Sequence, residues 1–420
     1  MDKREFLQTL AGWTAGLPLG KAFEQLLPDL EGAPLAEVVK DESFWMNIRQ
    51  GYNLKADYIN LENGYYCMMP KYTLDQFAKH VQTVNYEASY YMRNMQVEDK
   101  LTSKKALASI VGCLPEELII TRNTTESLDT IIGGYPWQVG DEAIMAEQDY
   151  GTMLDMFKLQ ARRHGIKNVF VSMPNHPSSD EEIVEIYRKA ITPRTRLMMV
   201  SHMINITGHI LPIKAICAMA HDHGVEVMVD GAHVIGHVVT NLTELNCDYY
   251  GSSLHKWLSV PLGAGLLYVR KEKISKIWQM FGNQSYADDD IRKLNHTGTH
   301  PVHTDLAIQD AINYYQKLGP QLKEDRLRYL QRYWTSQVRE IPNVRINTPI
   351  EPKRACGIAN VGLTHISPGD LSKKLITDFK IYTVAIDGVG VHGCRITPNV
   401  YTLTSELDQL VGAIKYLALS

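Results

Sequence analysis

From about residue 100 onward, short apolar runs of four or five residues alternate with longer stretches in which apolar side chains return every third or fourth position. The short runs have the character of strands buried on both faces and the longer ones that of helices with one face on a core. Their alternation predicts successive strand–helix units feeding a mostly parallel sheet. The predicted strands are 118–121, 143–146, 169–172, 197–201, 225–229, 249–252 and 266–269, with helix-like stretches at 153–163, 181–190 and 213–223. The last of these stops at Gly224, the residue type that most readily closes a helix. Beyond about residue 304 the pattern changes to a long helical segment over 305–339, strand-like runs around 356–363 and 381–386, and a terminal helix over 405–417. The expected architecture is α/β: an N-terminal extension (1–40), a large domain with a mostly parallel seven-stranded sheet (41–304) and a smaller α+β domain (305–420). No Ser/Gly linker separates the two domains, so a tight interface is expected.

Composition narrows the function classes. With 43 basic and 47 acidic side chains the chain carries no global positive field, which argues against nucleic acid or an anionic membrane as partner. Six scattered cysteines without a CxxC pair speak against a zinc finger or a disulfide framework and suit a reducing, cytoplasmic setting. No apolar run is long enough for a membrane span. Lys3-Arg4-Glu5-Phe6-Leu7 before a mildly apolar run over 7–19 resembles a degenerate twin-arginine signal, so periplasmic export is the alternative. Trp13, Leu17 and Phe23 suit an amphipathic arm equally well.

The chemistry concentrates in two adjacent stretches. An apolar strand at 225–229 delivers Asp230, Gly231, Ala232 and His233; one strand later come Ser252, Ser253, Leu254, His255, Lys256 and Trp257. Ligands of open α/β sheets bind at the carboxyl ends of strands, which is where this carboxylate and this lysine converge. The pairing matches the needs of pyridoxal phosphate: an amine for a Schiff base and a carboxylate to hold the pyridine nitrogen protonated. Upstream, Thr121-Arg-Asn123-Thr124-Thr125 opens a helix after a strand, a place suited to a phosphate.

These motifs resemble the class V aminotransferase family of fold-type I pyridoxal-phosphate enzymes, and within it the isopenicillin N epimerase-like branch, over about residues 57 to 415. The resemblance implies a pyridoxal 5'-phosphate cofactor with Lys256 as the Schiff-base lysine, Asp230 on the pyridine nitrogen and His233 on the ring hydroxyl. It implies Asn123, Thr124, Thr125, Ser253 and His255 around the phosphate, Tyr150 stacked on the ring and Asn205 near the ring hydroxyl or substrate. It further implies Arg395 as the clamp on a substrate α-carboxylate, Tyr65 and Tyr66 along the substrate pocket, and a homodimer in which Thr299 reaches the neighbouring subunit's phosphate. The substrate would be an amino acid or a derivative, turned over at Cα by epimerisation, transamination or β-elimination.

Cysteine desulfurase chemistry is disfavoured. The stretch 381–393 before Arg395 holds no cysteine, and on a strand Cys394 would face away from Arg395. Gly388-Val-Gly390-Val-His-Gly393 spells a dinucleotide-binding pattern, but an extended, proline-punctuated segment follows where a helix should open, which argues against a dehydrogenase. The histidines at 296, 300, 303, 221 and 223 lack an acidic partner at helical spacing, so no metal site is expected.

Overall fold

The computed structural model describes residues 34–420, so the signal-like segment at 3–19 lies outside the described residues. Seven strands form one sheet: β1 (Leu118–Thr121), β2 (Glu142–Ala146), β3 (Lys167–Val171), β4 (Thr195–Ser201), β5 (Glu226–Asp230), β6 (Tyr249–Ser253) and β7 (Gly265–Val269). Their spatial order is β1-β7-β6-β5-β4-β2-β3. The neighbours from β3 through β6 run parallel, and β7 alone is antiparallel to β1 and β6. Alternate side chains enter two cores. Ile144, Met198, Val200, Val227 and Val229 pack with Val111 and Ile216 on one face. Ala143, Met145, Leu197, Met199 and Met228 pack with Ile131 and Phe157 on the other. Burial on both faces is why these strands read as continuous apolar runs.

Helices α1 (Thr124–Gly134) and α2 (Gly151–His164) start directly above the ends of β1 and β2. The Asn123 side chain accepts from Glu126 N at 2.9 Å and fixes where α1 begins.

The helix expected over 305–339 is two, α3 (Val302–Leu318) and α4 (Pro320–Val338), broken at Gly319 with φ 94° and at Pro320. Ile308, Ala311, Ile312 and Tyr315 of α3 join the large sheet's core, whereas Leu330, Trp334 and Val338 of α4 join the smaller domain's. Between these two groups, Leu318, Leu322 and Leu327 join a cluster shared with Trp257 of the large domain and Val400 of the smaller one.

The smaller domain has a four-stranded antiparallel sheet of β8 (Val344–Ile346), β9 (Ala359–Leu363), β10 (Val384–Gly388) and β11 (Val391–Ile396), in the order β10-β11-β9-β8. The helices α5 (Pro368–Phe379) and α6 (Thr404–Leu419) cover it. The strand expected over 381–386 is split: Ile381–Tyr382 pairs in parallel with Ile59–Asn60, and Val384 starts β10. The glycine-rich motif is a hairpin turn between β10 and β11, with φ 46° at Val389 and 79° at Gly390, so it opens no nucleotide-binding helix. Among the described residues, no helix is long and apolar enough to cross a membrane.

Candidate active site

A cavity of about 490 Å³ opens at the carboxyl ends of the parallel strands, between the large sheet and the hairpin of β10 and β11. Its floor is made of strand ends of one sheet. Asp230 is the last residue of β5, Ser253 the last of β6 and Ser201 the last of β4, and all three line the cavity. Thr124 ties the start of α1 to the end of β6: its N–H donates to Ser253 Oγ at 2.9 Å, and the two hydroxyls lie 2.7 Å apart. Gly265 allows this closeness, because a Cβ there would fall 2.7 Å from Asn123 Cα.

The Asp230 carboxylate is buried, accepts from Ala232 N at 3.0 Å, and has its pKa raised by burial. Across from it, the pKa of Lys256 is lowered to about 8, chiefly by burial and against the pull of Asp230. Lys256 Nζ is 3.0 Å from His233 Nε2. Burial and the neighbouring Lys256 hold His233 well below the usual imidazole value. Beneath Tyr150, the Asp149 carboxyl accepts from Ser201 Oγ at 2.7 Å and Ala146 N at 2.8 Å, and burial pushes it up to about 7.

The opposite wall comes from distant parts of the chain. Arg395 on β11 directs Nη2 and Nε at the carboxylate of Glu62, at 2.5 and 3.3 Å, and Nη1 at the Asn205 carbonyl at 3.2 Å. Gly64 lies against the guanidinium so closely that a Cβ would sit 2.7 Å from Cζ. Val384 and Ile386 of β10, with Met203 and Leu262, supply apolar surface.

Of the residues singled out in the sequence, Asn123, Thr124, Thr125, Tyr150, Asn205, Asp230, His233, Ser253, His255, Lys256, Arg395 and Tyr65 share this one cavity. Tyr66 and Thr299 do not line it, and Thr299 is exposed on its own chain. Glu62 escaped the sequence reading, although it stands three residues before Tyr65. Trp257, directly after the lysine, is a further omission.

A planar, phosphorylated pyridine fits these groups. The N-terminus of an eleven-residue helix faces the cavity beside two hydroxyls, and a buried carboxylate stands opposite the lysine. His255 Nδ1 is buried without a hydrogen-bond partner.

Among the described residues, no cysteine lines the cavity. Cys394 lies on the far face of β11 in the smaller domain's core, and burial pushes its thiol up to about 12. The histidines once weighed as ligands are engaged elsewhere: His300 on Asp305, His221 on Asp248, and His223 on the Met219 carbonyl.

Fold and site together define a fold-type I pyridoxal-phosphate enzyme. The profile described as Aminotransferase class-V matches residues 67–405, and the chain belongs to that family. Two isopenicillin N epimerases are each 27% identical to it. The one from Streptomyces clavuligerus matches 75% of this chain and 83% of its own length, and the one from Amycolatopsis lactamdurans 89% and 98%. A probable cysteine desulfurase from Vibrio cholerae is also 27% identical, over 74% of this chain and 81% of its own. Among solved structures, the apo cysteine desulfurase of Thermococcus onnurineus has a TM-score of 0.79 at 20% identity, covering 89% of this chain and 98% of its own. A C-DES mutant with glycine covalently linked to its PLP cofactor has a TM-score of 0.80 at 19% identity, covering 87% of this chain and 98% of its own.

Proposed function

We propose that this enzyme acts at the Cα of an amino acid or amino-acid-derived substrate, with Lys256 as the covalent attachment point of pyridoxal phosphate and with epimerase-like chemistry. The observation that carries this is the convergence of Lys256, buried Asp230 and Arg395 in one cavity. When bound, the cofactor supplies an electron sink for the pair left at Cα by the departing proton. Asp230 holds a proton on the ring nitrogen, and the start of α1 with Ser253 and His255 takes the phosphate. Lys256, with its pKa lowered to about 8, takes or returns the Cα proton at Nζ near neutral pH. Arg395 orients the substrate through its carboxylate, using the Nη donors that Glu62 and the Asn205 carbonyl leave over. The apolar wall of Val384, Ile386 and Leu262 shields the reacting carbon from water.

Epimerisation is favoured over transamination or β-elimination by the two isopenicillin N epimerases, one of which matches nearly its whole length. The desulfurase relatives supply a competing reading, and a cavity without a cysteine speaks against it. The exposed Thr299 segment suits a homodimer in which each chain completes its neighbour's phosphate site.

The test is the visible spectrum of the purified protein with a panel of L- and D-amino acids, followed by chiral and keto-acid analysis of the products. The reading expects a yellow protein, a band shift with one substrate class and an inverted amino acid as product. A Lys256→Ala chain that still bound the cofactor covalently after borohydride reduction would falsify the assignment of the lysine.

A further inference from the structure

Trp257 follows the lysine directly and is fully buried, and its indole Nε1–H donates to His233 Nδ1 at 3.2 Å. An indole nitrogen is a donor only, so Nδ1 accepts and carries no proton. The single proton of a neutral imidazole must then sit on Nε2, the atom 3.0 Å from Lys256 Nζ. That N–H needs an acceptor. An ammonium has no lone pair, whereas a free amine has one. The reverse arrangement, an ammonium donating to Nε2, would leave the ring without any proton, as an imidazolate.

The indole is itself held in place. His237 stacks on it with ring centroids 3.6 Å apart and planes 23° from parallel. The His237 ring cannot turn freely: Gly357 N–H donates to its Nε2 at 2.8 Å, which leaves its Nδ1–H to donate to the His233 carbonyl at 2.8 Å.

We infer that Trp257 is a positioning residue that fixes His233 as the Nε2–H tautomer and thereby shifts Lys256 toward the free amine before the cofactor arrives. The surroundings agree. Asp230, Cys67 and Glu62 favour the charged lysine and Arg395 opposes it, but burial outweighs them all and lowers its pKa to about 8. Around His233, burial together with Lys256, Arg395, His237 and His255 disfavours a second proton on the ring. The consequence for cofactor capture rests on the proposed role of Lys256; the tautomer does not.

The tautomer can be read by ¹⁵N NMR of the full-length holoenzyme labelled at histidine. The wild type is expected to show His233 as Nε2–H, and Trp257→Phe a mixture with Nδ1–H. Reconstitution of the stripped chain with pyridoxal phosphate, followed by absorbance, gives a second readout. Its pH midpoint should lie near 8 in the wild type and rise by about one unit in Trp257→Phe, a roughly tenfold slower capture at neutral pH. A wild-type His233 in the Nδ1–H form overturns the inference without any variant, which covers the case where Trp257→Phe fails to fold. An unchanged tautomer and midpoint in a folded Trp257→Phe overturn it too. Failure of the functional reading is separate: Lys256→Ala would still capture the cofactor while the wild-type tautomer remained Nε2–H.

Discussion

The floor and the far wall of the cavity are built by different means. The floor consists of strand ends and one helix start, each within a few residues of an apolar run whose register in the sheet is set by burial on both faces. The wall brings Glu62, Gly64, Asn205 and Arg395 together from three chain-distant segments, one of them in the smaller domain. On the reading proposed here, the difference separates chemistry from selectivity. The groups that hold a cofactor stand at the strand ends of one sheet, while those that meet a substrate depend on how two domains sit against each other.

The largest effect that would break this division is expected on the floor. Asp230→Asn removes the only carboxylate that lines the cavity floor among the described residues, and turnover should fall about a hundredfold or more with covalent cofactor still bound. Single-turnover kinetics would check it; a near-normal rate would make the floor's electrostatics irrelevant.

An effect of a different kind is expected on the wall. Arg395→Ala leaves Glu62 buried without its partner, and loss of one member of a buried charge pair costs about 2–5 kcal/mol. Amino-acid affinity, followed by spectral titration, should weaken while cofactor affinity stays within a few-fold. In a cycle with Glu62→Gln the two changes should be strongly non-additive, because the side chains touch at 2.5 Å. Additive effects would mean that the pair does not act as a unit.

Weaker still is Cys394→Ser. Its thiol faces the core, so any product formation should persist, with stability lowered by about 1–3 kcal/mol in a denaturant titration because a hydroxyl is buried there. Sulfide release from free cysteine that vanished in this variant would restore the desulfurase reading.

The smallest change expected is at the tip of the hairpin carrying Val384 and Ile386. Val389 is β-branched at φ 46°, and glycine there should stabilise the fold by about 0.5–1 kcal/mol, seen as a slightly higher melting temperature. Its carbonyl accepts from Gln148 of the large domain at 3.1 Å, so a lower melting temperature would show that this bridge depends on the valine geometry.

By itself the sequence located the seven strands of the large sheet, six of them because a strand buried on both faces reads as an apolar run, whereas the edge strand β3 is only partly buried. It also determined which residues stand at the strand ends, since a side chain one position past an apolar run has little freedom in where it lies. Asp230 was legible for that reason, whereas Lys256, three residues beyond β6, was legible through its pairing with Asp230 and the family resemblance; the opposite facing of Cys394 and Arg395 follows from the two-residue period of a strand. The break at Gly319 was missed because both helices carry apolar stripes and only their partners differ. Tertiary structure alone decided that Glu62 occupies the Arg395 fork, that Tyr66 and Thr299 stand away from the cavity of their own chain, and that an indole sets the tautomer of His233. Such contacts join residues far apart in the chain or depend on side-chain direction, and neither spacing nor periodicity encodes an angle between two rings or the seat of one proton.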